Sequence, residues 1–105
     1  MEKLNIADLT QRMNDFVQAK GWYEEKTNRK QTPKNIASSL IIESAEVLEH
    51  FQWLPEDQEV ANKDELAAEL ADVQLYLLQL ASICKIDLEK AVLNKLEVNM
   101  GRTWS

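Results

Sequence analysis

The chain has 105 residues, 45% of them apolar, and only two glycines and two prolines. That length suits one domain, residues 1–105, near the size at which a partner subunit often completes the core, and the scarcity of turn residues favours a few long helices over many short strands. The net charge of −6 is unevenly spread: Glu43 to Asp72 holds ten acids and one lysine, whereas Lys20 to Lys34 holds five bases and two acids. A broad basic face for nucleic acid is therefore not expected, and an acidic site beside a small cationic segment suits a phosphorylated small molecule better. No opening apolar run of signal-peptide length and no stretch of eighteen apolar residues occurs, so neither export nor a membrane span is expected. The single cysteine, Cys84, has no partner for an internal disulfide. It reads as a small core residue in a reducing cytoplasm.

In chain order, a first helix is predicted from a cap at Asn5, with Asp8 in its first turn and Ile6, Leu9, Met13, Phe16 and Val17 at helical spacing, ending at Gly21. Residues 22–31 show no clean period, hold much of the basic charge, and read as a loop. Thr32-Pro33 opens a second helix expected to reach about Trp53. Its apolar residues, from Ile36 through Phe51, cover more than half the circumference, which predicts burial on several sides by the chain or by a second copy. After the break at Leu54-Pro55, a third helix is predicted from about Asp64, with a cap at Asn62, to about Cys84. On it Glu65, Glu69, Asp72 and Tyr76 form one stripe, facing an apolar seam of Leu66, Leu70, Val73, Leu77, Leu80 and Ala81. Asp87 caps a fourth helix whose Leu88, Ala91, Val92, Leu96 and Met100 are expected to pack inward before Gly101.

The second and third helices each carry an acidic pair three residues apart, Glu43 with Glu46 and Glu69 with Asp72. At roughly 100° per residue such a pair shares one helix face, so two neighbouring helices gather four carboxylates. Four anions repel one another unless a cation sits among them, and hard oxygen ligands in that number suit Mg2+ or Mn2+. The bland alternative is a pair of solvated acidic stripes. His50 is the only histidine, so imidazole-based catalysis has little material, and a di-iron bundle would need a glutamate where Val47 stands. Trp22, Trp53 and Tyr76 suit either base stacking or packing. Lys95 and Arg102 suit either a phosphate or the end of a helix dipole.

The spacing of those acids resembles the MazG-like, all-α nucleoside triphosphate pyrophosphohydrolases, and most closely their small single-domain members of the dCTP pyrophosphatase type. The likeness extends to Pro33-Lys34-Asn35-Ile36, to the run from Glu46 to Trp53, to the run from Glu69 to Tyr76, and to Lys95, Asn99 and Arg102 at intervals of four and three. The resemblance implies a four-helix bundle completed by dimerisation or tetramerisation, with Mg2+ held by Glu43, Glu46, Glu69 and Asp72. It further implies a nucleotide pocket lined by Trp22, Trp53 and Tyr76, and contacts from Lys95, Asn99 and Arg102 to the phosphates or the metal's surroundings. The chain departs from the pattern at Met13 and Gln31, where relatives place histidines, and at Thr103-Trp104, where an aromatic usually follows the arginine directly. The loop before Pro33 is also longer than usual. These changes bear on base and sugar preference and leave the acids intact.

The implied reaction is attack of water on the α-phosphorus of a (deoxy)nucleoside triphosphate, releasing nucleoside monophosphate and pyrophosphate, as in cytoplasmic house-cleaning of unwanted or surplus nucleotides. Two other readings stand beside it: a non-catalytic helical module that dimerises through its second helix, and a hydrolase of the same fold acting on a phosphorylated non-nucleotide.

Overall fold

A computed structural model describes residues 3–102, so Thr103 and Trp104 lie outside the described residues. The chain forms four helices, α1 (Ile6–Ala19), α2 (Pro33–Glu49), α3 (Lys63–Ile83) and α4 (Leu88–Met100), and no strand among those residues. The all-α architecture is the expected one.

Each helix starts on a side chain that takes up an otherwise unpaired first-turn amide. Asn5 accepts from the Asp8 amide at 2.8 Å while Asp8 accepts from that of Asn5 at 3.2 Å, a reciprocal capping box. Thr32, Asn62 and Asp87 cap α2, α3 and α4 in turn, accepting from Asn35, Glu65 and Lys90. Pro33 stands at the start of α2, where its missing N–H costs nothing. At the far end of α1, Gly21 takes φ +74°, and the amides of Gly21 and Trp22 return to the carbonyls of Gln18 and Val17, closing a Schellman turn.

The main helix pair is α2 against α3, with α1 laid on α3 and α4 touching α1. Met13 and Val17 of α1 and Leu78 of α3 form the core, with Ile6, Trp22, Tyr23 and Leu88 packed around it. Ile36 of α2 and Ala81 of α3 are buried as well.

Four expectations are corrected. Helix α2 stops at Glu49, not near Trp53: the amides of His50 and Phe51 turn back to carbonyls only three residues earlier, a tightening that precedes Leu54-Pro55. Cys84 is exposed, because α3 ends there and the chain turns away. The seam of α3 is rotated, with Leu78 and Gln79 at the buried centre and Leu70 half exposed. Finally, α4 does not bury its apolar face: Val92, Leu96 and Met100 are exposed, since α4 lies at the margin of the bundle with no helix over that side.

By length and composition α3 is also apolar enough to cross a membrane. It packs against α1 and α2, and its middle turns carry Glu69 and Asp72.

Candidate active site

Glu43 and Glu46 project from α2, and Glu69 and Asp72 from α3, the two helices most extensively packed together. Three of the four carboxylates are half-buried and Asp72 is exposed. The Oε2 atom of Glu43 is buried without any hydrogen-bond partner. Burial pushes this carboxyl above its ordinary pKa, and a hydrogen bond with Glu46 and the charges of Glu46, Asp72 and Glu69 push it the same way. Glu43 thus feels all three other acids of the quartet. A bound cation would relieve an unpartnered carboxyl oxygen among like charges, and the donor set is the hard-oxygen type that Mg2+ takes.

The four carboxylates do not converge on one point. Among the described residues no three Asp, Glu, His or Cys side chains are placed to hold one ion. Glu69 is turned to His50, whose Nε2 is in hydrogen-bond contact with its Oε2. The imidazole at the C-terminal cap of α2 gives Glu69 a neighbour that is not an acid. The partnership of His50 with Glu69 was not foreseen from the sequence.

Asp72 also borders a cavity of about 650 Å³ between α1, α2, α3 and the 22–31 loop. That volume is in the range of small-molecule sites. Its walls are apolar and aromatic, with Met13, Phe16, Ile36, Leu75, Trp22 and Tyr76, and its loop side brings Arg29, Lys30 and Gln31. The guanidinium of Arg29 lies 4.3 Å from the Trp22 ring centre, and Phe16 meets Trp22 edge-on at 5.8 Å. A cation held over an indole keeps positive charge beside a flat apolar surface, a pairing suited to a molecule that is anionic at one end and aromatic at the other.

Of the expected substrate-binding residues, Trp22 and Tyr76 therefore line this cavity. Trp53 does not: it is 86% exposed, beyond the end of α2. Lys95 and Arg102 are exposed at the α4 end of the molecule, and Asn99 is half-buried with its Oδ1 lacking a partner. None of these three borders the cavity within one chain. Arg12, Asn35 and Gln79 do border it, and the sequence reading had not singled them out as site residues. Gln79 was detectable, because it continues the Asp72–Tyr76 stripe by one more turn, but a glutamine in an apolar run is easily taken for a helix filler.

A model of the MazG-like family matches residues 38–103. The dCTP pyrophosphatase 1 of Homo sapiens is 37% identical over an alignment covering 67% of this chain and 45% of the relative, and that of Bos taurus is 36% identical with the same coverage. The chain thus spans about half the length of the curated relatives it matches. Among solved structures, a pyrophosphatase from Archaeoglobus fulgidus superposes with a TM-score of 0.78 at 35% identity, covering 94% of this chain and 92% of that one.

Proposed function

The chain belongs to the MazG-like family, and from that membership we propose that it hydrolyses (deoxy)nucleoside triphosphates to nucleoside monophosphate and pyrophosphate. The observation that carries this reading is the unpartnered, buried Oε2 of Glu43 among three further acids, one of which borders an aromatic, cation-edged cavity.

Glu43, Glu46, Glu69 and Asp72 would hold Mg2+, with Mn2+ as an alternative. When bound, the cation supplies positive charge against the triphosphate and polarises its phosphoryl oxygens. The protein's own groups do the rest. Trp22 and Tyr76 take up the base and exclude water from it, while Arg29 and Lys30 present positive charge from the loop. One carboxylate of the pair, Glu43 or Glu46, is assigned to take the proton of the water that attacks the α-phosphorus. Trp53, Lys95, Asn99 and Arg102 are assigned to the site of a second copy, in a homodimer or homotetramer. Support for that comes from their not lining the cavity of their own chain and from the uncovered apolar faces of α2 and α4. The role that suits such chemistry is removal of surplus or unwanted nucleotides in the cytoplasm.

The test is incubation with Mg2+ and a panel of ribo- and deoxyribonucleoside triphosphates. Monophosphate and pyrophosphate are the expected products, whereas diphosphate and phosphate would move the attack to the γ-phosphorus. Glu69→Gln should lower kcat at least about a hundredfold while leaving the helical signal unchanged. The quartet's open arrangement gives one observation in favour of a non-catalytic helical module. That reading predicts no rise in melting temperature with Mg2+ and no nucleotide binding.

A further inference from the structure

Gln79 is 3% exposed, the buried polar side chain among the described residues, and it borders the cavity. A carboxamide placed there needs its hydrogen bonds met, and the way they are met fixes its polarity. Gln31 donates its amide nitrogen to the Arg29 backbone carbonyl at 2.6 Å. A carbonyl only accepts, so the side-chain oxygen of Gln31 is left to face Gln79, and it receives the Gln79 amide nitrogen at 2.6 Å. The same nitrogen reaches the Tyr23 hydroxyl at 3.4 Å, and that hydroxyl donates to Asn14 Oδ1 at 2.5 Å. Asn14 in turn donates to Ser82 Oγ at 3.1 Å. Burial raises the Tyr23 pKa and keeps the phenol protonated, so this relay retains its direction. Both N–H groups of Gln79 are thereby committed to the protein, and what the residue can offer a ligand is its carbonyl oxygen.

The position suits the far end of a nucleotide. Asp72 and Gln79 are seven residues apart on one stripe of α3, about 10 Å along the axis, close to the reach of a nucleoside from its phosphate to the outer edge of its base. Tyr76 lies between them on the same stripe and borders the cavity too.

We infer that Gln79, locked by Gln31 and Tyr23, is the specificity-determining residue of this site: its carbonyl oxygen accepts a hydrogen bond from the exocyclic amino group of the base. The inference rests on the proposed triphosphate hydrolysis. Cytosine and adenine present that amino group, whereas uracil and hypoxanthine present a carbonyl, which meets the Gln79 oxygen as a second acceptor. A site whose buried acceptor is left facing another acceptor discriminates strongly.

The experiment compares kcat/KM for dCTP against dUTP and for dATP against dITP with Mg2+, and the affinities of dCMP and dUMP without metal, in the wild type, Gln79→Leu and Gln31→Leu. The wild type should favour the amino base by about thirtyfold or more in whichever pair it accepts. Gln79→Leu should bring that ratio, and the dCMP to dUMP affinity ratio, to within about threefold. Gln31→Leu removes the lock while keeping the carboxamide, so the ratio should fall there as well, with uracil gaining as the N–H groups turn toward the base. A purely structural Gln79 would change the melting temperature without moving these ratios. Wild-type preference for the carbonyl bases, or unchanged ratios in both variants, would overturn base reading while leaving the hydrolase reading in place. No turnover of any triphosphate by the wild type would instead overturn the hydrolase reading, and base reading with it.

Discussion

Glu43 carries the electrostatic tension of the site: a carboxylate oxygen with no partner, pushed toward its protonated form by burial and by three neighbours of its own sign. Its pKa in the folded chain lies above its unfolded value, so the folded state binds the proton more tightly. Stability therefore falls as pH rises from the ordinary carboxylate range through the folded pKa, and the loss is complete above it. Glu43→Gln should raise the melting temperature of the metal-free protein at neutral pH and flatten its decline above the ordinary carboxylate range, read by circular dichroism with chelator present. If Glu43 is a ligand of the proposed Mg2+ site, the same variant should also lose the stabilisation by Mg2+ expected of the wild type, because one oxygen of the proposed ligand set is no longer anionic. The four acids were legible because i, i+3 spacing on a helix fixes a shared face whatever surrounds it. The pairing of Glu69 with His50 was not, since α2 had to end at Glu49 before His50 could turn toward α3.

At the scale of the elements, starts were more legible than stops. Asn5, Thr32, Asn62 and Asp87 are short polar side chains ahead of apolar periodicity, and each caps the helix expected of it. The end of α3 is less readable because it uses a residue poorly suited to its geometry. Lys85 takes φ +58°, with its amide returning to Ser82 and that of Ile86 to Ala81, the same Schellman closure that Gly21 provides for α1. A side chain with a Cβ in the left-handed region costs about 1 kcal/mol. Lys85→Gly should accordingly raise the melting temperature by about 4–8 °C, measured calorimetrically with the helix content unchanged. That turn also exposes Cys84, which composition and helical period had assigned to the core.

The whole molecule is more open than its length requires. Its radius of gyration is 16.5 Å, against about 13 Å for a compact chain of 100 residues. It exposes 8587 Å², where a compact 12.1 kDa monomer exposes about 6,000 Å². Much of the difference is apolar: Ile41, Ile42 and Leu48 on α2, and Leu93, Leu96 and Val98 on α4, are each more than half exposed. An excess of that order matches what subunits hide in obligate interfaces, so light scattering should return at least two copies per particle. Leu96→Glu, which sets a charge on the α4 face, should shift the particle toward monomer and lower stability if that face is covered by another copy. The amino-acid sequence by itself determined what depends on neighbours along the chain: four capped helices, the i, i+3 acidic pairs, and an apolar girth on α2 too broad for one contact. Tertiary structure decided everything that depends on which helix faces which. It turned Glu69 to His50, buried Gln79 beside the cavity and left α4 uncovered, because rotation of a helix about its axis is set by packing against distant residues and not by the helix's own period.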